Sequence, residues 1–128
     1  MRVLAAVLLF AAWPAAAQTL DCSKAQTQID LDRCADQGFR KADAALNQVY
    51  ARLKAGTTEP DSLKRLVDAE KAWLAYRDRE CELETEDSIG GSIHLMEIAA
   101  CYREKTVART TELKKQIYCP EGDPTCAR

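Results

Sequence analysis

The chain has 128 residues, of which 30% are charged and 47% hydrophobic, and its formal net charge is −2. This length suits one folded domain. The slightly negative charge argues against nucleic acid or an anionic membrane surface as the partner.

The N-terminal residues are typical of a secretory signal peptide. After a basic start, residues 3–13 are apolar and uncharged, and residues 14–17 include the small side chains that signal peptidase requires. The apolar stretch is far shorter than the roughly 20 residues that span a bilayer. Asp21 precedes Cys22, where a lipoprotein signal has a small residue. We therefore expect a signal peptide over residues 1–17, no stable membrane anchor after cleavage, and a periplasmic or secreted protein.

The mature part contains all six cysteines, which is typical of an oxidising compartment. Sequence alone leaves 15 pairings open. A zinc site is the alternative, but no two cysteines have the short spacing of such a site, and His94 is the only histidine. Disulfides are therefore expected to involve all six: Cys22, Cys34, Cys81, Cys101, Cys119 and Cys126.

Three long segments have helical periodicity, at about residues 27–54, 61–87 and 92–117. Thr27 provides an N-cap for the first. No strand-like alternation of useful length occurs, so the predicted fold is all-α, a small bundle of three long helices with disulfide staples. The residues expected on the buried faces are Leu31, Ala35, Phe39, Ala42, Leu46, Val49, Leu53, Leu63, Leu66, Val67, Trp73, Leu74, Tyr76, Leu95, Ile98, Ala99, Tyr102, Leu113 and Ile117.

The second and third helices are predicted to form an antiparallel hairpin that turns at Gly91. Cys81 and Cys101 lie at equal distances on either side of Gly91, so they should face each other within reach of a disulfide. The remaining natural pairs are Cys22–Cys34 and Cys119–Cys126, the second of which would close the C-terminal tail, residues 119–128.

Three charged residues fall on or beside the apolar faces: Glu70 and Arg77 in the second helix, and Arg109 in the third. In one interpretation their stems pack while their charged ends reach water. In the other they form a partly buried polar network. The hairpin also brings Trp73 level with Arg109, which would allow a cation–π contact.

No motif for catalysis is apparent. The chain has neither a Gly-rich phosphate loop nor a GxSxG elbow, and fully bridged cysteines would leave no reactive thiol. We therefore expect a non-enzymatic protein without a cofactor or a metal.

The prominent feature is an acidic run over residues 78–87, at the C-terminal end of a helix, where the helix dipole makes anions mildly unfavourable. It is either a solvated helix end or a docking surface for a basic protein partner. A turn containing Gly90 and Gly91 follows, and a disulfide beside it would make it rigid. The candidate partner-binding residues are Asp78, Glu82, Glu84, Glu86, Asp87, Ser92 and His94.

Three motifs follow one another in order. They are Ala-Asp-Ala-Ala-Leu-Asn-Gln-Val-Tyr at residues 42–50, Trp-Leu-Ala-Tyr-Arg-Asp at residues 73–78 leading to Cys81, and Gly-Gly-Ser at residues 90–92. In this combination, which extends roughly over residues 22–113, the chain resembles the lysozyme inhibitor LprI-like family.

The resemblance implies a helical, disulfide-bonded, exported domain, which we place at residues 18–118, and it suggests inhibition of a lysozyme. An envelope interaction or structural module with another partner is the alternative function. Several family motif positions, together with Glu70, are expected to form an internal polar set rather than a ligand site between helices. This set is Asp43, Asn47, Glu70, Arg77 and Arg109.

Overall fold

The computed structural model describes residues 20–120 and 122–125. Within these ranges the chain forms three α-helices and two short 3₁₀ helices, without a strand, so the all-α prediction is confirmed. The predicted signal peptide lies outside the described residues. The α-helices are α1 (Gln28–Gly56), α2 (Pro60–Glu84) and α3 (His94–Ile117), and the 3₁₀ helices are Cys22–Lys24 and Glu86–Ser88.

Local hydrogen bonds explain where the helices begin and end. Thr27 is the N-cap of α1, as predicted, and its hydroxyl accepts a hydrogen bond from the Asp30 amide at 3.2 Å. Pro60 occupies the first turn of α2, where its missing N–H is not needed. The predicted end of α2 near residue 87 is too late. The Thr85 hydroxyl donates to the Cys81 carbonyl at 2.7 Å, and the chain then tightens into the second 3₁₀ helix.

The closest helix pair is α1 with α3, and α2 approaches α3 less closely. The Phe39 ring packs on the Tyr102 ring and Arg52 stacks on Tyr118, so α1 and α3 run parallel. Gly38 permits this approach, because a Cβ atom there would lie 3.2 Å from the Arg103 side chain. Among the described residues, no helix is both long and apolar enough to cross a lipid bilayer.

Four leucines form the centre of the apolar core, and half-buried side chains from all three helices pack around them. On the face predicted to be buried in α1, Ala42, Leu46 and Leu53 are buried and the other residues are half-buried. Three residues predicted to be buried are instead exposed: Leu74, Tyr76 and Leu95. The first two lie on α2, which covers less of its surface against its neighbours, and Leu95 lies at the end of the bundle in the first turn of α3. The core leucines are Leu46, Leu53, Leu66 and Leu113, flanked by Val49, Tyr50, Trp73 and Ile117.

Two of the three predicted disulfides are present, Cys22–Cys34 and Cys81–Cys101. Cys119 is also disulfide-bonded, but its predicted partner, Cys126, lies outside the described residues, so that pairing stays a prediction. The bridges differ in burial. Cys81 and Cys101 are buried, whereas Cys22 is exposed.

Candidate functional site

Arg77 is buried between the three helices, inside a cage of aromatic rings. Its guanidinium carbon lies 5.3 Å from the ring centroid of Phe39, 5.4 Å from that of Trp73 and 5.2 Å from that of Tyr102. Arg77 Nη2 donates to a carboxylate oxygen of Asp78 at 2.8 Å. The face of an aromatic ring attracts a cation, so the cage offsets part of the cost of burying the charge.

The same guanidinium connects α2 to the other two helices. Its Nη1 lies 3.8 Å from Asp43 Oδ1 on α1 and 3.5 Å from Thr106 Oγ1 on α3. Asn47 donates its side-chain amide to Asp43 at 3.0 Å, one turn further along α1. Arg77 therefore contacts all three helices at one level of the bundle.

Arg109 forms the second part of this polar set. Its Nε donates to Glu70 Oε2 at 3.0 Å, its Nη2 lies 3.0 Å from the same oxygen, and its Nη1 donates to Glu112 at 3.0 Å. Its guanidinium carbon lies 5.7 Å from the Trp73 ring centroid, the contact that the hairpin register predicted. Trp73 thus lies against both arginines, and every carboxylate in the set faces a guanidinium or an amide.

The polar set changes the ionisation of the tyrosine beside it. Burial, together with the negative charges of Asp78 and Glu82, raises the pKa of Tyr102, and the positive charge of Arg77 opposes that rise. The phenol therefore stays neutral to higher pH than an ordinary tyrosine. The surroundings of Tyr102 therefore favour an uncharged ring beside the Arg77 cation.

Members of the acidic run differ in how far they are available to a partner. Three are engaged in ion pairs: Asp78 with Arg77, Glu82 with Arg79 at 3.0 Å, and Glu84 with Lys105 at 2.6 Å. The hydrogen bond to Glu84 is also the main cause that raises the pKa of Lys105. Glu86 and Asp87 are exposed, and neither has an ion-pair partner in the described part of the chain.

The tip, which we define as residues 85–95, has a hydrogen-bonded turn. Gly90 adopts a φ of +80°, which favours glycine, and the Gly91 amide donates to the Ser88 carbonyl at 2.9 Å. A Cβ atom on Gly91 would come within 3.0 Å of that carbonyl oxygen. The Gly-Gly pair is therefore required by the turn, and Ser92 remains exposed beside it.

His94 is half-buried and bonded within the tip. Its Nδ1 lies 3.0 Å from the Ser88 hydroxyl, which donates to the Thr85 carbonyl at 2.9 Å. The hydroxyl has one proton, so His94 Nδ1–H is the donor between them.

Several features of this site were not predicted from the sequence. The cage around Arg77 needs Phe39 and Tyr102, which had been identified only as apolar-face residues. The tip also exposes Ile89 and Ile93, with 66% and 42% of their surfaces accessible. The available signal was their position in a turn rather than in a periodic helical stripe.

Shallow grooves lie between the helices. One groove, of about 570 Å³, lies between α2 and α3. Arg109, Leu66 and Leu113 are among its lining residues, and Arg77 is not. Both ends of the Arg109 guanidinium are already bound to carboxylates. Among the described residues, no group of three or more His, Cys, Asp or Glu side chains is placed to hold a metal ion.

The chain is similar to known bacterial proteins. The chain is 40% identical to the uncharacterised protein R02472 of Rhizobium meliloti (strain 1021), over 80% of this chain and 82% of that protein. It is 29% identical to the uncharacterised protein YecT of Escherichia coli (strain K12), over 77% of this chain and 71% of that protein. No solved structure matches significantly. The family described as "Lysozyme inhibitor LprI" matches residues 21–113, which hold the Cys22–Cys34 and Cys81–Cys101 disulfides, the arginine cage and the tip, and the chain therefore belongs to that family.

Proposed function

We propose that this protein is exported and inhibits a lysozyme by docking its acidic run and its tip onto that enzyme. The charge around the tip supports this proposal in addition to family membership. Residues 80–99 include six acidic residues and neither lysine nor arginine, and they surround a turn fixed by hydrogen bonds and flanked by a buried disulfide. Animal-type lysozymes are strongly basic, so their charge complements this end of the bundle.

The chemistry of the tip suits the catalytic groups of such an enzyme. Lysozyme acts through two carboxyl groups. Ser92 is exposed and brings a hydroxyl donor, and the half-buried His94 ring lies within the same tip. A turn held before binding loses little entropy on docking.

Calorimetric titration of the exported protein into chicken-type lysozyme at moderate salt tests the proposal. We expect a binding heat and a matching loss of lytic activity, both weakening as salt screens the attraction. Absence of heat and undiminished lysis at tens of micromolar would end the proposal for that enzyme. Capture of a different envelope protein would then favour the interaction-module alternative.

The acidic contribution has a matched control within the same chain. The double substitution Glu86→Gln and Asp87→Asn should slow association several-fold and flatten its salt dependence, because these two carboxylates are exposed and free of ion pairs within the described residues. The same charge change at the opposite end of the bundle, Glu59→Gln with Asp61→Asn, should leave association unchanged. Equal effects of the two pairs would show that net charge, and not the tip, attracts the enzyme.

Export is proposed on the signal pattern over residues 1–17. N-terminal sequencing of the protein recovered from the periplasm or medium should begin at Gln18. A cytoplasmic protein that retains Met1 would contradict both the export and the proposed target.

A further inference from the structure

The tip bears apolar side chains that the described chain leaves largely or partly exposed. Ile89, Ile93 and Leu95 lie within seven residues of one another, and each is exposed, Leu95 to 64%. Single exposed hydrophobic residues are ordinary, but several on one rigid turn are a sign of a binding surface.

Stability of this chain alone does not account for these side chains. The turn is fixed by Gly90, Gly91 and the Ser88 hydroxyl, none of which requires an isoleucine at position 89 or 93. Ile93 precedes α3 without contributing a side-chain cap. An exposed apolar side chain gains free energy only when a partner removes it from water.

Two grooves of different charge border these residues. Leu95 lies beside one of mixed charge, lined by Arg33 and Arg40 together with Asp32 and Asp36, whereas the groove beside Ile93 is acidic. Ile93 borders a shallow groove of about 290 Å³ together with Glu84, Asp87 and Glu97. Asp87 and Glu97 have no ion-pair partner in the described ranges. A lysine or arginine side chain from a basic partner would complement the charge of this groove.

We propose that Ile89, Ile93 and Leu95 form the apolar anchor of the interface, while the carboxylates beside Ile93 steer the partner. The partner is a basic protein with an apolar recess, in which Ile89 and Leu95 are buried and from which a lysine or arginine enters the groove beside Ile93. This inference rests on the proposed function and adds the side chains that hold the complex once it forms.

The two kinds of residue should affect binding kinetics differently. Apolar anchors at the centre of an interface govern dissociation, and rim charges govern association. Ile89→Ser, Ile93→Ser and Leu95→Ser, made singly, should each speed dissociation from chicken-type lysozyme about tenfold or more with little change in association rate. Val107→Ser is the matched control, because Val107 is exposed on α3 outside the tip.

Surface plasmon resonance with immobilised lysozyme gives both rates, and sedimentation velocity reports self-association. If the wild-type protein binds and inhibits but all three variants dissociate at the wild-type rate, the anchor is wrong and the proposed function stands. If the wild-type protein does not bind lysozyme, both fail. A wild-type dimer that the serine variants abolish would assign the patch to self-association and overturn the inference.

Discussion

The two halves of this bundle are held together by different physical means. The half around Leu46, Leu53 and Leu113 is an apolar core in which aliphatic side chains from separate helices pack on one another. The half nearer the tip instead buries Arg77 among three rings and closes with the Cys81–Cys101 disulfide.

The leucine core and the arginine cage constrain the positions of the helices to different degrees. A buried leucine contributes about 1.5–3 kcal/mol wherever it finds apolar neighbours, so it tolerates small shifts between helices. A guanidinium needs carboxylates and ring faces at fixed positions, and Arg77 finds them on all three helices. We infer that the leucine half supplies most of the stability and that the Arg77 half fixes the register in which the tip is presented.

Among the substitutions that test this comparison, we expect those of Arg77 to change the free energy of unfolding most. Arg77→Ala leaves a cavity among the rings and removes the partner of Asp43 and Asp78, so we expect a loss of about 3 kcal/mol in the free energy of unfolding. Arg77→Met should cost only about 1 kcal/mol, since the thioether fills the cage and both carboxylates, which are 39% and 48% exposed, can hydrate. Urea denaturation measures both.

Arg79→Ala is the matched control for Arg77, because Arg79 is 83% exposed and forms only an ion pair within its own helix. It should change stability by less than about 0.5 kcal/mol. If Arg77→Met were as costly as Arg77→Ala, the cation itself would be required, and volume alone would not explain the cage.

Removal of each disulfide is the next test. The chain-entropy argument assigns about 3 kcal/mol to each bridge, because the bridged residues are separated by 12 and 20 positions and the cost varies slowly with loop length. Because the two bridges differ in burial, we expect their removal to have different effects on stability. Replacing Cys81 and Cys101 by alanine should cost close to the full amount, whereas replacing Cys22 and Cys34 should cost about 1 kcal/mol, since the exposed leading segment can detach while the bundle stays folded.

Limited reduction provides a second measurement of the same difference. With a mild reductant under native conditions, mass spectrometry of alkylated protein should find Cys22–Cys34 opened before Cys81–Cys101, because Cys22 is exposed and Cys81 is fully buried. Simultaneous opening of both bridges would mean that the two ends of the protein are equally protected.

The sequence was sufficient to predict the scaffold because periodicity and spacing encode it. The apolar steps along α1 and the equal distances of Cys81 and Cys101 from Gly91 determine helices, hairpin and bridge without side-chain detail. The arginine cage could not be predicted in the same way. The cage depends on the parallel contact between α1 and α3, which brings Phe39 beside Tyr102. Local sequence patterns do not indicate which residues of separate helices meet.

The position of the tip was predicted from the sequence, but not which of its side chains are exposed and which are paired. The acidic run was visible in the sequence, yet the structure gives Asp78 an internal partner and leaves Glu86 and Asp87 exposed. Leu95 fits the helical stripe of α3 and was therefore expected to be buried. Its exposure follows from its place at the end of the bundle, which periodicity does not report.

The smallest expected effect concerns Tyr102 in alkaline solution. Its pKa is raised in the folded protein, chiefly by burial and then by Asp78 and Glu82, so folding favours the neutral phenol. The associated stability is fully present below the ordinary tyrosine pKa of about 10 and is lost as pH rises through the folded value. Tyr102→Phe should remove this part of the alkaline decline. The raised pKa of Lys105 contributes a decline of the same sign and should persist in that variant.

Ultraviolet titration of tyrosinate absorbance, compared between wild type and Tyr102→Phe, isolates this one phenol. In the Arg77→Met background the pKa of Tyr102 should rise further, because the cation that opposes the rise is gone. An unchanged titration in that background would mean that Arg77 and Tyr102 are not electrostatically coupled. The contact between Arg77 and Tyr102 would then depend on packing alone, as the contacts of the leucine half do.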